Sequence, residues 1–310
     1  MKKLLIAAQN IDPRLAVLAR GRFDVTVKPV RSEEELASIV GEAHVLVTRA
    51  YNKVSRRVID SAKQLEVIAQ GTSGTDNIDE TFARNRGVTV ISLPGENANA
   101  VAELVIGYML ALTRTIPFYT REVVAGKWPR DDCATRHELH HYRLGIIGLG
   151  QVGMRVARLA RAFGMDIIAY DPSLTDAQFV ERGASRVDSL DRLFESSGIV
   201  TIHVPLTSET RRMIDAGRIA QMRPGSILIS AARGDVIDQR AALAALASNH
   251  LGGLGMDVFD PEPPRAPFPD DPRLIVTPHI AGCTHECRSA IGEKLWEKIQ
   301  AFYATREPSR

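Results

Sequence analysis

Short apolar runs alternate with amphipathic stretches along almost the whole chain. In the first hundred residues Lys3–Ala8, Phe23–Lys28, Val45–Thr48, Val67–Gln70 and Val88–Ser92 read as short strands. Between them Pro13–Arg20, Ser32–Val40 and Ser55–Ser61 carry helical spacing. The second opens on Ser32 with Glu35 three residues on, the signature of a capping box. This βα rhythm predicts a parallel sheet covered by helices on both faces. Asn97–Arg114 is dense in Ala, Val, Leu, Ile and Gly and predicts a long buried helix that bridges two domains. Thr115–Tyr142 loses periodicity and reads as an extended arm or connector, with Trp128-Pro129, Asp131-Asp132 and three histidines.

A second βα series begins at Leu144. Strands are expected at Leu144–Gly148, Asp166–Tyr170, Ile199–Val204, Ser226–Ser230, Gly253–Val258 and Leu274–Thr277. Helices are expected at Val152–Phe163, Leu190–Ser196, Ala216–Gln221 and Gln239–Ser248. Six parallel strands so arranged describe a complete doubly wound dinucleotide domain. A last helix, about His285–Thr305, is expected to return to the first domain and close the molecule.

Composition changes this picture little, but it narrows the function. With 310 residues, two domains are the natural division. A net charge of +2, with arginines scattered along the chain, argues against nucleic acid or an anionic membrane as partner. The odd set Cys133, Cys283 and Cys287 makes no disulfide framework and fits a reducing cytoplasm. Cys283 and Cys287 read as ordinary helix residues, since no second pair completes a metal site. The opening Met1–Ala8 imitates a signal peptide, but its apolar run is shorter than the roughly 7–15 residues of a signal core, so a buried strand is the better reading. No apolar stretch approaches the roughly 20 residues of a membrane span.

Gly148-Leu149-Gly150-Gln151-Val152-Gly153 is a G-x-G-x-x-G placed between a predicted strand and an amphipathic helix. In that context the glycines allow a tight turn, close backbone approach to a pyrophosphate, and tight helix–strand packing, while the helix N-terminus offers N–H groups to the phosphates. The next strand ends at Asp171, close to the roughly 20-residue spacing expected of an acid that accepts from the ribose hydroxyls. Such a carboxylate repels a 2′-phosphate and favours NAD over NADP. The competing reading is a structural βα turn with an incidental Asp.

Three further strand ends carry residues able to do chemistry: Ser230–Gly234, Met256–Pro263 and Thr277–Gly282. Ligands of doubly wound folds lie beyond the carboxyl ends of the strands. Arg233 offers a planar fork for a carboxylate, His279 a proton carrier near neutrality, and Glu262 a partner that orients the imidazole and stabilises its charged form. Together they suit oxidation of a 2-hydroxy acid, with a base on the hydroxyl proton and a cation on the carboxylate. Taken singly, each has a plainer reading: a turn arginine, a solvated glutamate, a helix-capping histidine.

Over nearly its whole length the chain resembles the D-isomer-specific 2-hydroxyacid dehydrogenases. The resemblance is carried by Gly71–Asp79, Asn97–Glu103, the glycine fingerprint, His203-Val204-Pro205-Leu206-Thr207, Ala231–Gly234, Asp257–Phe259 with Glu262-Pro263, and Thr277–Gly282. It implies an α/β fold of two doubly wound parallel-sheet domains: a flavodoxin-like substrate domain, residues 1–97 plus 284–310, and a Rossmann NAD-binding domain, residues 98–283. It implies Arg233, Glu262 and His279 as the catalytic set. It implies NAD bound by Gly148, Leu149, Gly150, Gln151, Val152, Gly153, Asp171, His203, Val204, Pro205, Thr210, Ala231, Ala232, Arg233, Asp257, His279 and Gly282, with Asp257 on the nicotinamide amide. Substrate would be held by Arg49, Arg233 and the backbone around Ser73, Gly74 and Thr75. The resemblance also implies a mobile substrate domain and a homodimer formed through the NAD-binding domains.

The substrate is less determined. Arg49 stands where phosphoglycerate dehydrogenases bind a distal phosphate, and it reads equally as a solvated strand-end residue. The chain stops soon after its last helix, so a regulatory extension with serine feedback is not expected. Glu138, Leu139, His140, His141, Tyr142 and Arg143 stand where many relatives have a Gly-Lys-Thr-type turn, and with His137 they make a local histidine cluster. His137 and His141 are spaced as metal ligands would be, but an exposed connector is preferred and no metal is expected. Two other functional classes remain open: hydride chemistry on another small anion such as formate or phosphite, and a non-catalytic NAD-sensing protein akin to corepressors. The joint presence of Arg233, Glu262 and His279 argues against the second.

Overall fold

A computed structural model describes residues 1–131 and 136–306. The chain divides into two compact units, residues 1–97 with the C-terminal segment from Cys283, and residues 98–282. Asp132 and Cys133 fall outside the described residues.

The first unit is a five-stranded sheet. Its elements are β1 (Lys2–Ile6), α1 (Pro13–Ala19), β2 (Phe23–Val27), α2 (Glu33–Ile39), β3 (Val45–Thr48), α3 (Arg56–Ser61), β4 (Val67–Gln70), α4 (Glu80–Asn85) and β5 (Thr89–Ile91). All pairings are parallel, in the order β2-β1-β3-β4-β5. That is the flavodoxin-like order, with its switch point between β1 and β3. The central strands β3 and β4 are buried along their full length, as a sheet covered on both faces requires. Helix α2 starts on Ser32, whose Oγ accepts from Glu35 N–H at 3.1 Å. Among the described residues only this half of the expected capping box is made.

The second unit holds α5 (Ala98–Thr113), α6 (Ile116–Val124), β6 (Arg143–Ile147), α7 (Gln151–Ala162), β7 (Asp166–Tyr170), α8 (Asp176–Glu181) and β8 (Ser185–Arg186). It continues with α9 (Leu190–Ser196), β9 (Ile199–Ile202), α10 (Ala216–Gln221), β10 (Ser226–Ser230), α11 (Gln239–Ala247), β11 (Leu251–Met256) and β12 (Leu274–Val276). The sheet is parallel throughout, in the order β12-β11-β10-β9-β6-β7-β8. Counted from its first strand this is the Rossmann order with one strand added, and it reverses direction between β6 and β9. Two apolar clusters fill its two faces, one under α5 and α7, the other under α9, α10 and α11.

α12 (His285–Ala304) belongs to the first unit, where it packs on α1. The register is tight: a Cβ on Gly292 would lie 2.8 Å from Asp12 Cβ, and Ser289 Oγ donates to Asp12 at 3.1 Å. Trp296 meets Phe23 of β2 edge-on, and Tyr303 packs on the same ring at a tilt.

Four elements differ from the sequence reading. The second sheet has seven strands, because the edge strand β8 is two exposed residues long and leaves no apolar signature. The segment from Thr115 is not wholly extended. Thr115 takes a left-handed φ of 51° that ends α5, and Pro117 then starts α6, whose lack of any buried residue hides its period. α4 and α8 are single short helices set by their caps, Asp79 and Thr175, rather than by an apolar stripe. Among the described residues no single helix is long and apolar enough to cross a membrane.

Candidate active site

The fingerprint lies where β6 turns into α7. Gly148 takes φ +85°, and a Cβ on Gly153 would sit 2.2 Å from Gly148 O, so the helix closes onto the turn only with glycine there. At Gly150 a Cβ would meet nothing within 4 Å. The middle glycine therefore faces open space at the N-terminus of α7, where an anion would be received by backbone N–H groups and the helix dipole. Leu149 is fully buried and donates its N–H to Asp171 Oδ2 at 3.0 Å. Asp171 Oδ1 accepts from Ser173 N–H and Oγ at 3.1 and 2.6 Å. The strand-end carboxylate is thus fixed in place and keeps acceptor capacity for a diol.

A cavity of about 470 Å³ opens beside this turn, at the strand-order reversal. Gly148, Gly150, Asp171, His203, Val204, Pro205 and Thr210 line it, together with Ser173, Glu209 and Arg218, which the sequence reading passed over. Glu209 and Arg218 lie in a polar loop and a short helix, with no spacing to single them out. His203 Nε2 pairs with Thr201 Oγ1 at 3.0 Å, while Nδ1 is buried with no partner among the described residues. Burial pushes this imidazole down to about 3, so it is neutral at physiological pH. An orphaned nitrogen, an open glycine and an anchored acid around one cavity fit a dinucleotide.

Ala231, Ala232, Arg233, Asp257, His279 and Gly282 sit away from that cavity's lining, at the ends of β10, β11 and β12. Gly234 lets these ends meet: a Cβ there would lie 2.1 Å from Phe259 C. The turn carrying Arg233 therefore presses on the segment that leads to Glu262. Glu262 Oε1 accepts from Phe259 N–H at 2.9 Å, and Oε2 pairs with His279 Nδ1 at 2.7 Å. Burial alone would raise the Glu262 carboxyl. The hydrogen bond and charge of His279, with help from Phe259 N–H and Arg233, outweigh it and hold the group below the ordinary carboxylate range.

His279 itself takes φ +54°, a left-handed conformation that costs a non-glycine residue roughly 1–2 kcal/mol. Asp257 holds it there. His279 N–H donates to Asp257 O at 2.8 Å, and the fully buried Asp257 carboxylate accepts from Ile280 and Ala281 N–H, both at 2.8 Å, and from Thr277 Oγ1. The partners of this carboxylate lie in the loop that follows the neighbouring strand β12. Thr277 in turn pairs with the hydroxyl of Tyr108 on α5. The sequence reading gave neither Thr277 nor Tyr108 a role, and nothing in α5, which also carries Asn99, Glu103 and Thr113, singles Tyr108 out.

In the first unit Arg49 follows β3 at that sheet's switch point. It is 8% exposed, so the solvated reading does not hold. Its Nη1 donates to Asn10 O at 3.1 Å, and among the described residues no carboxylate pairs with it. Tyr51 and Gln9 hydrogen-bond nearby. After β4, Ser73 Oγ donates to Leu93 O and Asn97 Oδ1 at 3.1 and 3.0 Å, and Gln70 Nε2 donates to Gly74 O at 3.1 Å. The backbone N–H groups of Ser73, Gly74 and Thr75 donate to no described residue, and such a run is a nest for an anion. Between α6 and β6, His140 and His141 stack with ring centres 4.3 Å apart and His140 Nδ1 lies 3.2 Å from Glu138. Among the described residues no group of three or more potential ligands is placed to hold a metal ion.

Together the Rossmann order, the open glycine turn and the His–Glu pair define a dinucleotide-binding protein with acid/base machinery at its strand ends. Residues 106–281 match the NAD binding domain of the D-isomer specific 2-hydroxyacid dehydrogenases. The chain is 40% identical over 271 residues to a hydroxypyruvate reductase of Thermotoga maritima, covering 86% of this chain and 87% of that one. It is 36% identical over 302 residues to a D-3-phosphoglycerate dehydrogenase of Archaeoglobus fulgidus, covering 96% of this chain and 56% of that protein. The chain thus spans about half the length of the phosphoglycerate dehydrogenases it matches. The solved structure of D-lactate dehydrogenase from Aquifex aeolicus, complexed with NAD and lactic acid, has a TM-score of 0.88 at 26% identity, over 98% of this chain and 96% of that one. The chain belongs to the D-isomer specific 2-hydroxyacid dehydrogenase family.

Proposed function

We propose that this protein transfers a hydride between NAD and C2 of a small 2-hydroxy/2-keto acid that carries a second anionic group. The observation that carries the reading is the 2.7 Å pairing of His279 with Glu262, close enough to Arg233 for its charge to be felt. When bound, NAD supplies or accepts the hydride at its nicotinamide ring. Glu262 occupies Nδ1 of His279, which assigns Nε2 to exchange a proton with the C2 oxygen. The carboxylate stabilises the imidazolium formed when a hydroxyl proton is taken. Arg233 offers a bidentate fork to the substrate carboxylate and draws charge toward the C2 oxygen. Asp171 takes the ribose hydroxyls and disfavours a 2′-phosphate, selecting NAD over NADP.

The residues 1–97 unit has anion-receptive features of its own. We assign the N–H groups of Ser73–Thr75, which donate to no described residue, to the substrate carboxylate, and Arg49, buried with no counter-charge among the described residues, to a distal phosphate such as that of 3-phosphoglycerate. We further propose a homodimer through the NAD-binding unit. α6 has no buried residue, and Val124 and Trp128 at its end are 84% and 77% exposed, an apolar surface suited to a second copy.

The test is NADH oxidation at neutral pH against glyoxylate, hydroxypyruvate, pyruvate, 2-ketoglutarate and phosphohydroxypyruvate. Turnover of the phosphorylated acid, lost on Arg49→Ala, supports the whole assignment. Turnover of the small keto acids alone leaves the dehydrogenase reading standing and removes Arg49 from it. Silence on every acid with NADH binding intact overturns the reading in favour of another anion or a sensing role.

A further inference from the structure

The left-handed backbone of His279 and the buried Asp257 beneath it raise the question of what holds Asp257. We infer that Tyr108, on α5, is a positioning residue for His279, acting through a relay of hydroxyls from Tyr108 to Thr277 to Asp257. The inference rests on the dehydrogenase reading for its kinetic consequences, but not for its structural ones.

The direction of the relay follows from donor capacity. Asp257 Oδ1 is the acceptor of both its bonds, so Thr277 donates its hydroxyl proton to it. Thr277 Oγ1 is then left to accept, and Tyr108 is the donor of the remaining bond. Each member restrains the next. Tyr108 cannot swing away, because its ring fills the space over Gly255 of β11, where a Cβ would lie 3.0 Å from Cδ2. Burial also pushes the Tyr108 phenol up to about 12, so it keeps its proton across the working range. At the other end Asp257 Oδ1 is shared between Thr277 Oγ1 and Ile280 N–H, and Oδ2 takes Ala281 N–H. These bonds flank His279 on both sides. A hydroxyl on a helix distant in sequence thereby sets the angle at which the imidazole meets Glu262.

The decisive variant is Tyr108→Phe, which keeps the ring and removes the donor. It is expected to lower kcat about 5- to 20-fold, the loss of one hydrogen bond to a charged network, with KM and the Kd for NADH within about twofold. Because His279 is what holds the Glu262 carboxyl low, a looser contact raises that pKa. Activity, which needs the carboxylate, is then lost at a higher pH on the acid side. Thr277→Val should reproduce both effects and Thr277→Ser restore most of the loss. The double variant Tyr108→Phe/Thr277→Val should be no worse than the poorer single, as one relay demands.

A second measurement needs no turnover. Amide hydrogen exchange in the peptide spanning residues 276–282 should speed up about tenfold in Tyr108→Phe, while a peptide from α7 stays unchanged. Unchanged exchange with an unmoved acid limb overturns the relay, as does a loss confined to KM. If the wild-type protein turns over no acid, the proposed function falls and the exchange experiment alone decides the relay.

Discussion

Replacing His203 should change how the protein responds to acid. Its imidazole lies at the end of β9 with Nδ1 buried and unpartnered among the described residues, and burial holds it down to about 3 against an ordinary 6.5. The folded pKa is depressed, so the stabilisation is fully present above 6.5 and is lost as pH falls from there toward 3. In that window the unfolded chain binds a proton the folded one refuses. At pH 5 the unfolded imidazole, 1.5 units above ambient, is almost fully charged, which costs about 2 kcal/mol of folding stability relative to pH 7.5. The figure depends only on the unfolded pKa as long as the folded one stays well under 5. Urea unfolding of wild type and His203→Gln at pH 7.5 and 5.0 reads it directly. The variant loses stability at both pH values, but its change between them should be smaller than the wild type's by about 2 kcal/mol. Equal pH dependence, within about 0.5 kcal/mol, would show that the folded protein admits a proton at His203 and refute the reasoning.

Other consequences can be checked alongside. Asp171→Ala should weaken NADH binding about tenfold and raise the NADPH/NADH affinity ratio, measured by nicotinamide fluorescence, since one charge-assisted contact is worth roughly 1.5 kcal/mol. An unchanged ratio would mean the ribose is read elsewhere. Gly234→Ala must displace backbone at Phe259, where its Cβ would lie 2.1 Å away, and overpacking of this kind costs about 1–3 kcal/mol. Its melting temperature should drop and kcat/KM should fall with Arg233 displaced, while NADH still binds. Glu262→Gln should remove the acid limb of the pH–rate profile and lower kcat about 10- to 100-fold, the loss of a charged hydrogen bond. A limb that persists would assign it to another group.

What could be read from the residues alone was whatever depends on local order. The strands of both sheets apart from β8, the capped helix after Ser32, the fingerprint and the count to Asp171 all rest on periodicity, turn chemistry and spacing, which neighbouring residues fix among themselves. Arg233, Glu262 and His279 were singled out because strand ends of a doubly wound sheet face one edge, so motif position stands in for three-dimensional position. Where apolar content was missing the reading failed: at β8, two exposed residues long, and at α6, which buries nothing. Tertiary structure alone decided the rest. Arg49 looked equally like a solvated residue until packing buried it with no counter-charge among the described residues. Asp257 and His279 are 22 residues apart, and Tyr108 is 169 residues from the threonine it touches. Sequence carries propensities that act over a turn or two, whereas desolvation and hydrogen-bond partnership depend on what the completed fold places against each group. Long-range partners are therefore invisible until the sheet has assembled.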